Sequence, residues 1–218
     1  MRFNNLYILN KDNYYWTCTG NDSNYSKNYR KSAPERYSLG TGWVEIGMIP
    51  TNSDEEAKEL QLKINTVFKP FISVKSMINI DMNQVEFLYY VQELIKADSN
   101  YMLNILNTIT EYFKYVKKCG DVYFIECKND KLKIGCSTDF NRRWQSLINE
   151  EQNKAINKID VFKTYDMYLD EARLQCKCYK YKDNSNKDIN YIQEIGNSEL
   201  YKKCNEVETI WREYAKRR

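Results

Sequence analysis

Four side chains between positions 123 and 171 could act together on a phosphate ester: Tyr123, Lys133, Arg143 and Glu171. Hydrolysis of a phosphodiester needs a cation that stabilises the developing charge, a group that activates water, and a rigid frame. The Arg143 guanidinium can fork two phosphate oxygens. Glu171 supplies a hard oxygen ligand suited to Mg²⁺ or Mn²⁺. Each residue type alone is common on protein surfaces, so the prediction depends on the order and spacing of the set.

The elements that must position these side chains are predicted from the apolar pattern. Strand, strand, helix, strand and helix are predicted in that order at 121–127, 131–137, 140–152, 158–166 and 168–182. The turn "KND" joins the first two strands as a hairpin, and Thr138 or Asp139 caps the first helix. Because side chains alternate along a strand, Tyr123 and Lys133 can share one face of the hairpin. Gly135 lets the backbone bend or lets substrate approach closely.

Read together, "VYFI", "KIGCSTDFNRRW" and the later Glu171 resemble the GIY-YIG nuclease domain. Tyr123 falls on the Tyr of the first signature element, and Lys133-Ile134-Gly135 falls on the second. Ser137, Thr138 and Asp139 fall on its small polar turn, Arg143 on its helix Arg and Glu171 on its metal-binding Glu. The resemblance covers residues 120 to about 205. It is strongest with the branch common in phages and large DNA viruses, which has "KIG" for "YIG" and a late acidic-aromatic element, here "SELYKK" with Glu199 and Tyr201.

The resemblance implies an α+β fold in which residues 119–218 form a β-β-α-β-α domain around a three-stranded antiparallel sheet. It also implies a metal-dependent DNA endonuclease. Glu171 would then hold one Mg²⁺ or Mn²⁺ ion, Tyr123 would help to activate water, and Arg143 would stabilise developing charge. A phenol is a poor base at neutral pH unless a cation stabilises its anion, a role open to Lys133. Lys131 and Arg142 are expected to contact DNA together with Arg143.

Two departures from the family pattern leave a second interpretation open. Lys133 stands where the family usually has a second Tyr, and Leu147 stands where many members have His. An aliphatic side chain cannot orient water. The alternative is therefore a catalytically degenerate domain, of the viral branch or not, that binds DNA or another protein as a scaffold. A cleavage assay with metal and plasmid DNA discriminates the two.

Composition excludes several other classes of function. The chain of 218 residues has 33 Lys and Arg against 30 Asp and Glu, so its net charge of +3 neither requires nor excludes a nucleic-acid partner. With no His, the chain has no His-dependent triad and no imidazole zinc site. Seven Cys and no apparent signal segment predict a reducing compartment such as the cytoplasm. No apolar run approaches the roughly 20 residues that cross a bilayer.

Residues 1–118 fall outside the resemblance and are predicted to form a separate module. Short strand-like runs and a polar loop precede residue 52, and three helices are predicted at 53–68, 83–97 and 99–118. Gly120 is interpreted as a cap near the last helix end, which places the domain boundary there. The apolar helix faces suggest a protein partner or a homo-oligomer, while a DNA-targeting role is open by analogy. The basic, Tyr-rich stretch 25–37 is more simply a solvated loop than a recognition element.

Overall fold

The computed structural model describes residues 5–20, 41–73, 77–150, 154–183 and 200–218. They form a mixed α/β protein with two four-stranded antiparallel sheets. The chain divides into two compact units. One contains Met1–Ala97 and Asn104–Tyr115, and the other contains Asp98–Leu103 and Val116–Arg218. Within the described ranges, no helix is both long and apolar enough to cross a membrane.

The first unit contains a sheet that the sequence did not predict. Its strands are β1 (Asn5–Lys11), β2 (Tyr14–Gly20), β3 (Val44–Ile49) and β4 (Ile78–Asn79), in the order β3-β1-β2-β4. The module was predicted to be mainly helical, with short strand-like runs before residue 52. The pairing of those runs was not predictable, because β1 is buried on both faces and its run "NLYILN" lacks the alternation of a half-buried strand. The strand-like runs therefore assemble into a sheet of their own.

Three α-helices, α1 (Asp54–Val67), α2 (Gln84–Ile95) and α3 (Ser99–Tyr112), follow in the chain. Ser53 caps α1 by accepting a hydrogen bond from the Glu56 amide, as is common for a serine that precedes a helix. Helix α3 ends six residues before the predicted end at 118. Gly120 is the first residue of a strand, so the interpretation of Gly120 as a helix cap was wrong.

The second unit has the predicted order strand, strand, helix, strand, helix. Its elements are β5 (Gly120–Cys127), β6 (Lys131–Ser137), α4 (Phe140–Ile148), β7 (Ala155–Thr164), α5 (Met167–Cys178), β8 (Leu200–Lys202) and α6 (Asn205–Ala215). The sheet order is β7-β5-β6-β8, so the predicted three-stranded sheet has a fourth strand. Strand β8 has only three residues, too few to show an alternating pattern.

The sheet of the second unit separates two apolar clusters. Val122, Phe124 and Ile134 lie on one face with residues of α5 and α6, including Trp211. Tyr123, Ile125, Phe140 and Leu147 lie on the other, so α4 covers that face. Successive residues of β5 thus alternate between the two clusters, as the period of a strand requires. We call the side of Tyr123 the α4 face.

Strand β7 lies at one edge of this sheet and contains two irregularities. Phe124 pairs with Asp160 while Ile125 pairs with Lys158, which leaves Ile159 as an extra residue. Glu126 pairs with Asn157 while Cys127 pairs with Ala155, which leaves Ile156 as a second extra residue. Both are β-bulges, and both isoleucines are exposed.

Candidate functional site

The Tyr123 side chain lies over Gly135. The two residues are direct partners across β5 and β6, so their Cβ positions are on the same face of the sheet. A β-carbon at position 135 would lie 2.3 Å from the Tyr123 hydroxyl oxygen and 2.5 Å from its Cζ. Glycine is therefore needed here for close approach by the Tyr123 ring, whereas the sequence suggested a backbone bend or close approach by substrate. Tyr123 is only 1% exposed, which holds the phenol in one place.

Arg143 reaches the Tyr123 hydroxyl from α4. Its Nε lies 3.5 Å from the Tyr123 oxygen, at the outer limit of a hydrogen bond. Asp139 positions the helix, since its side chain accepts a hydrogen bond of 3.0 Å from the Arg142 amide and its carbonyl accepts one from Arg143. This confirms Asp139 as one of the two predicted caps. Arg143 also lies 3.4 Å from the Ser146 hydroxyl through Nη1.

Lys133 completes this group, together with a carboxylate that the sequence analysis missed. Its side chain is 2% exposed, and its Nζ lies 3.9 Å from Glu150 Oε2. The other oxygen, Glu150 Oε1, lies 3.5 Å from Arg143 Nη2. Glu150 therefore bridges the two cations. Its distance of seven residues from Arg143 is a helical repeat, which was the available signal, but α4 ends at Ile148 and so the pattern stops before Glu150.

Glu171 occupies a different environment. It is fully buried on α5, and its Oε1 accepts a hydrogen bond of 2.8 Å from Gln175 Nε2. Helical spacing places Glu171 on the same side of α5 as Met167, Leu174 and Cys178. Those three residues pack in the cluster on the face opposite the α4 face. The structure thus brings Tyr123, Lys133, Gly135 and Arg143 together, and α5, which carries Glu171, packs against the other side of the sheet.

The donor chemistry of Glu171 suits a hard divalent ion. Within the described parts of the chain, no group of three or more His, Cys, Asp and Glu residues is arranged to hold a metal. Mg²⁺ commonly binds one or two carboxylates and fills its remaining positions with water and phosphate oxygens. A single carboxylate has the donor chemistry for an ion of that kind, and not for a metal that requires a complete protein cage. Because Glu171 is fully buried, an ion with bound water would need the neighbouring side chains to move apart.

The two remaining basic candidates differ in their exposure. Lys131 is 8% exposed, and its Nζ forms an ion pair of 2.7 Å with Asp183, so it does not present its charge to solvent. Arg142 is exposed on α4. Of the two residues in the late acidic-aromatic element, Tyr201 is buried in the cluster opposite the α4 face, and Glu199 lies outside the described residues.

Asp170, next to Glu171, anchors a network that sequence reasoning did not identify. It is fully buried and accepts hydrogen bonds from the Thr164 hydroxyl, from Tyr214 at 2.7 Å and from Arg218, with which it also forms an ion pair. Burial raises the pKa of Tyr214 to about 12. These partners lie up to 48 residues away in the chain, so no local pattern could have revealed them. The network ties the first turn of α5 to α6.

Comparison of the chain with protein-family models, with curated proteins and with solved structures gives no match. A function is therefore inferred from the chain's own residues.

Proposed function

We propose that the protein is a metal-dependent DNA endonuclease that hydrolyses phosphodiester bonds at a GIY-YIG-like site. The observation that carries the proposal is the meeting of three side chains from three elements. The Tyr123 hydroxyl from β5, the Arg143 guanidinium from α4 and the Lys133 ammonium from β6 lie on the α4 face. A phenol in contact with a guanidinium, on the same face of the sheet as an ammonium group, is suited to anion binding and to water activation.

Each residue of the site would have a separate role in hydrolysis. Arg143 binds two phosphate oxygens through its planar fork and stabilises the charge that develops on them. Lys133 favours the phenolate form of Tyr123, which accepts a proton from the attacking water. Glu171 would hold one Mg²⁺ or Mn²⁺ ion, whose chemistry when bound is to polarise a phosphate oxygen.

DNA is the proposed partner, and exposed basic residues on the α4 face support it. In the β5–β7 pairing, Lys163 lies opposite Asp121 and Lys158 opposite Ile125, on either side of the Tyr123–Val161 pair. Both lysines therefore project on the Tyr123 side of the sheet, where Arg142 is also exposed. Asp160 points the other way and accepts a hydrogen bond of 2.9 Å from Trp211 Nε1. Cations that flank the site can bind phosphates on both sides of the scissile bond.

A second candidate is a degenerate domain that binds DNA or a protein without cleaving a substrate. It is favoured by the packing of α5 and its Glu171 against the face opposite Tyr123. Leu147 also supports it, because this residue is fully buried beside Tyr123 and Phe140 as part of the apolar core. On this reading Lys133 and Arg143 bind an anion, and the chemistry of hydrolysis has been lost.

Nicking of supercoiled plasmid with Mg²⁺ or Mn²⁺ tests the proposal. Wild type should nick, Glu171→Gln should lose activity because the amide keeps the shape without the charge that holds the ion, and Arg143→Ala should slow single-turnover cleavage by roughly a hundredfold. Glu206→Gln, an exposed position on α6, is the matched control and should cut as wild type does. DNA binding is measured separately. Wild type that binds DNA and never nicks it with either metal identifies the second candidate.

For the first unit we propose a protein partner or a second copy of the chain, in a reducing compartment such as the cytoplasm. Val85 and Tyr89 are exposed by 78% and 54% on α2, and Tyr112 by 74% on α3. Aromatic residues are enriched in protein interfaces. Light scattering on wild type and Tyr89→Ser tests the homo-oligomer. If wild type and the variant both have the mass of a monomer, the chain does not associate with itself, and the proposed partner is a different protein.

A further inference from the structure

We propose that Glu150 is an internal anion that occupies the phosphate position between Lys133 and Arg143, and that a substrate phosphate binds by displacing it. The inference rests on the proposed function, in that it takes these two cations to be the phosphate-binding groups. Because an incoming anion must displace Glu150, this carboxylate lowers the affinity of the site for other anions.

The geometry of the carboxylate supports this role. Each Glu150 oxygen faces a different cation, with Oε2 at 3.9 Å from Lys133 Nζ and Oε1 at 3.5 Å from Arg143 Nη2. A phosphate group presents its oxygens in a similar way, with negative charge shared among them. The carboxylate therefore lies where the bridging anion of a complex would lie.

The same distances show that the carboxylate is held loosely. Charge-assisted hydrogen bonds between nitrogen cations and oxygen anions are typically about 2.7–2.9 Å long. Both Glu150 contacts are longer, at 3.5 and 3.9 Å. A phosphate that makes two short bonds to the Arg143 fork would replace two long ones, so the exchange favours the phosphate.

Glu150 is free to leave without unfolding its helix. It lies two residues beyond Ile148, the last residue of α4, and 31% of its side chain is exposed. Its amide donates a hydrogen bond of 3.3 Å to the Leu147 carbonyl, which fixes the backbone while the side chain turns. Lys133, by contrast, is 2% exposed and stays in place. Displacement therefore needs only a change of side-chain rotamer at Glu150.

Glu150→Gln tests the inference, with Glu126→Gln as its control. Glu126 also pairs with a lysine, with Lys203 Nζ 2.5 Å from its Oε1, and the two variants change the net charge equally. Side chains alternate between the two faces along β5, so Glu126, three residues after Tyr123, lies on the face opposite the α4 face. Two probes are used without metal: pyrophosphate, followed by thermal unfolding, and a short fluorescein-labelled DNA duplex, followed by anisotropy.

We expect Glu150→Gln to bind both probes roughly three- to tenfold more tightly than wild type, while Glu126→Gln differs little from wild type. Glu150→Asp keeps the charge and shortens the reach, so it should show a smaller gain. It also serves if the Gln variant folds poorly. Equal pyrophosphate affinity in wild type and Glu150→Gln, or an equal gain in Glu126→Gln, would overturn the inference.

The inference and the endonuclease proposal fail separately. Tighter pyrophosphate binding by Glu150→Gln in a protein that never cleaves DNA supports the internal anion and removes the endonuclease. Metal-dependent cleavage by wild type without any affinity gain in Glu150→Gln retains the endonuclease and removes the internal anion.

Discussion

The Tyr123 ring fills the space above Gly135 that a side chain would need. An added methyl at position 135 would meet the hydroxyl oxygen of Tyr123 at 2.3 Å and two of its ring carbons at 2.5 and 2.8 Å. The pair is therefore a single packing unit, and neither residue can change without a response from the other.

Gly135→Ala should lower the free energy of unfolding by about 1–3 kcal/mol, because the buried ring must leave its position. Urea denaturation measures the change. Tyr123→Phe should not rescue this variant, since Cζ and Cε2 still clash. In a Tyr123→Val background Gly135→Ala should cost little further stability, because the ring is then gone. A Gly135→Ala protein as stable as wild type would show that the ring can move freely.

Lys158 and Lys163 are expected to govern the salt dependence of DNA binding. Each phosphate that a cation neutralises contributes about 0.9 to the slope of log affinity against log salt for duplex DNA. The Lys158→Ala/Lys163→Ala double variant should therefore have a slope shallower by roughly 2. Arg212→Ala, on the exposed side of α6, is the control and should keep the wild-type slope. An unchanged slope in the double variant would place the DNA elsewhere.

Tyr214 should make the protein lose stability at high pH. Burial raises the pKa of Tyr214 from 10.0 to about 12, so the folded state holds the phenol proton more tightly than the unfolded chain does. The resulting stability is complete below about pH 10 and is lost as the pH rises towards 12. Over that range wild type should lose about 1–2 kcal/mol more than Tyr214→Phe in urea denaturation. Parallel losses in the two proteins would contradict this assignment.

The division of the chain predicts where stable fragments begin. Residues Asp98–Leu103 belong to the second unit, and the Ser99 hydroxyl accepts a hydrogen bond of 3.3 Å from the Lys180 amide. A fragment 98–218 should therefore unfold at higher urea concentration than a fragment 119–218. Trypsin should cut intact protein early at the exposed Lys117 or Lys118. Resistance at both lysines would show that the two units are not separable there.

Local patterns in the sequence predicted the elements of the second unit, because a tight turn separates the apolar runs of β5 and β6 and a cap residue marks the start of α4. The hairpin of β5 and β6 lies within the predicted range, and its turn uses Asn129 and Asp130 with positive φ, which these residue types tolerate. The short strand β8 was missed because three residues carry no period. Other predictions were wrong because they depend on tertiary contacts. Lys131 was predicted to contact DNA, but it is buried in an ion pair with Asp183, 52 positions later in the chain.

The sequence predicted which strands and helices carry the candidate site, but not all of the side chains that meet in it. Alternation along the hairpin correctly brought Tyr123 and Lys133 to one face. The seven-residue spacing of Glu150 from Arg143 indicated a shared helical face, but its bridging position was not predictable, because α4 ends at Ile148 and the position of Glu150 depends on how the chain leaves the helix. The side of the sheet on which α5 packs, and so the surroundings of Glu171, depends on the path of the chain between strands and not on local spacing.

The two β-bulges in β7 affect whether a further strand can add at this edge of the sheet. Ile156 and Ile159 interrupt the regular pairing along a ten-residue strand at the edge of the sheet. A straight edge would offer evenly spaced amides and carbonyls on which a strand from another molecule could add. The bulges break that spacing, so this edge is a poor template for a strand from another molecule.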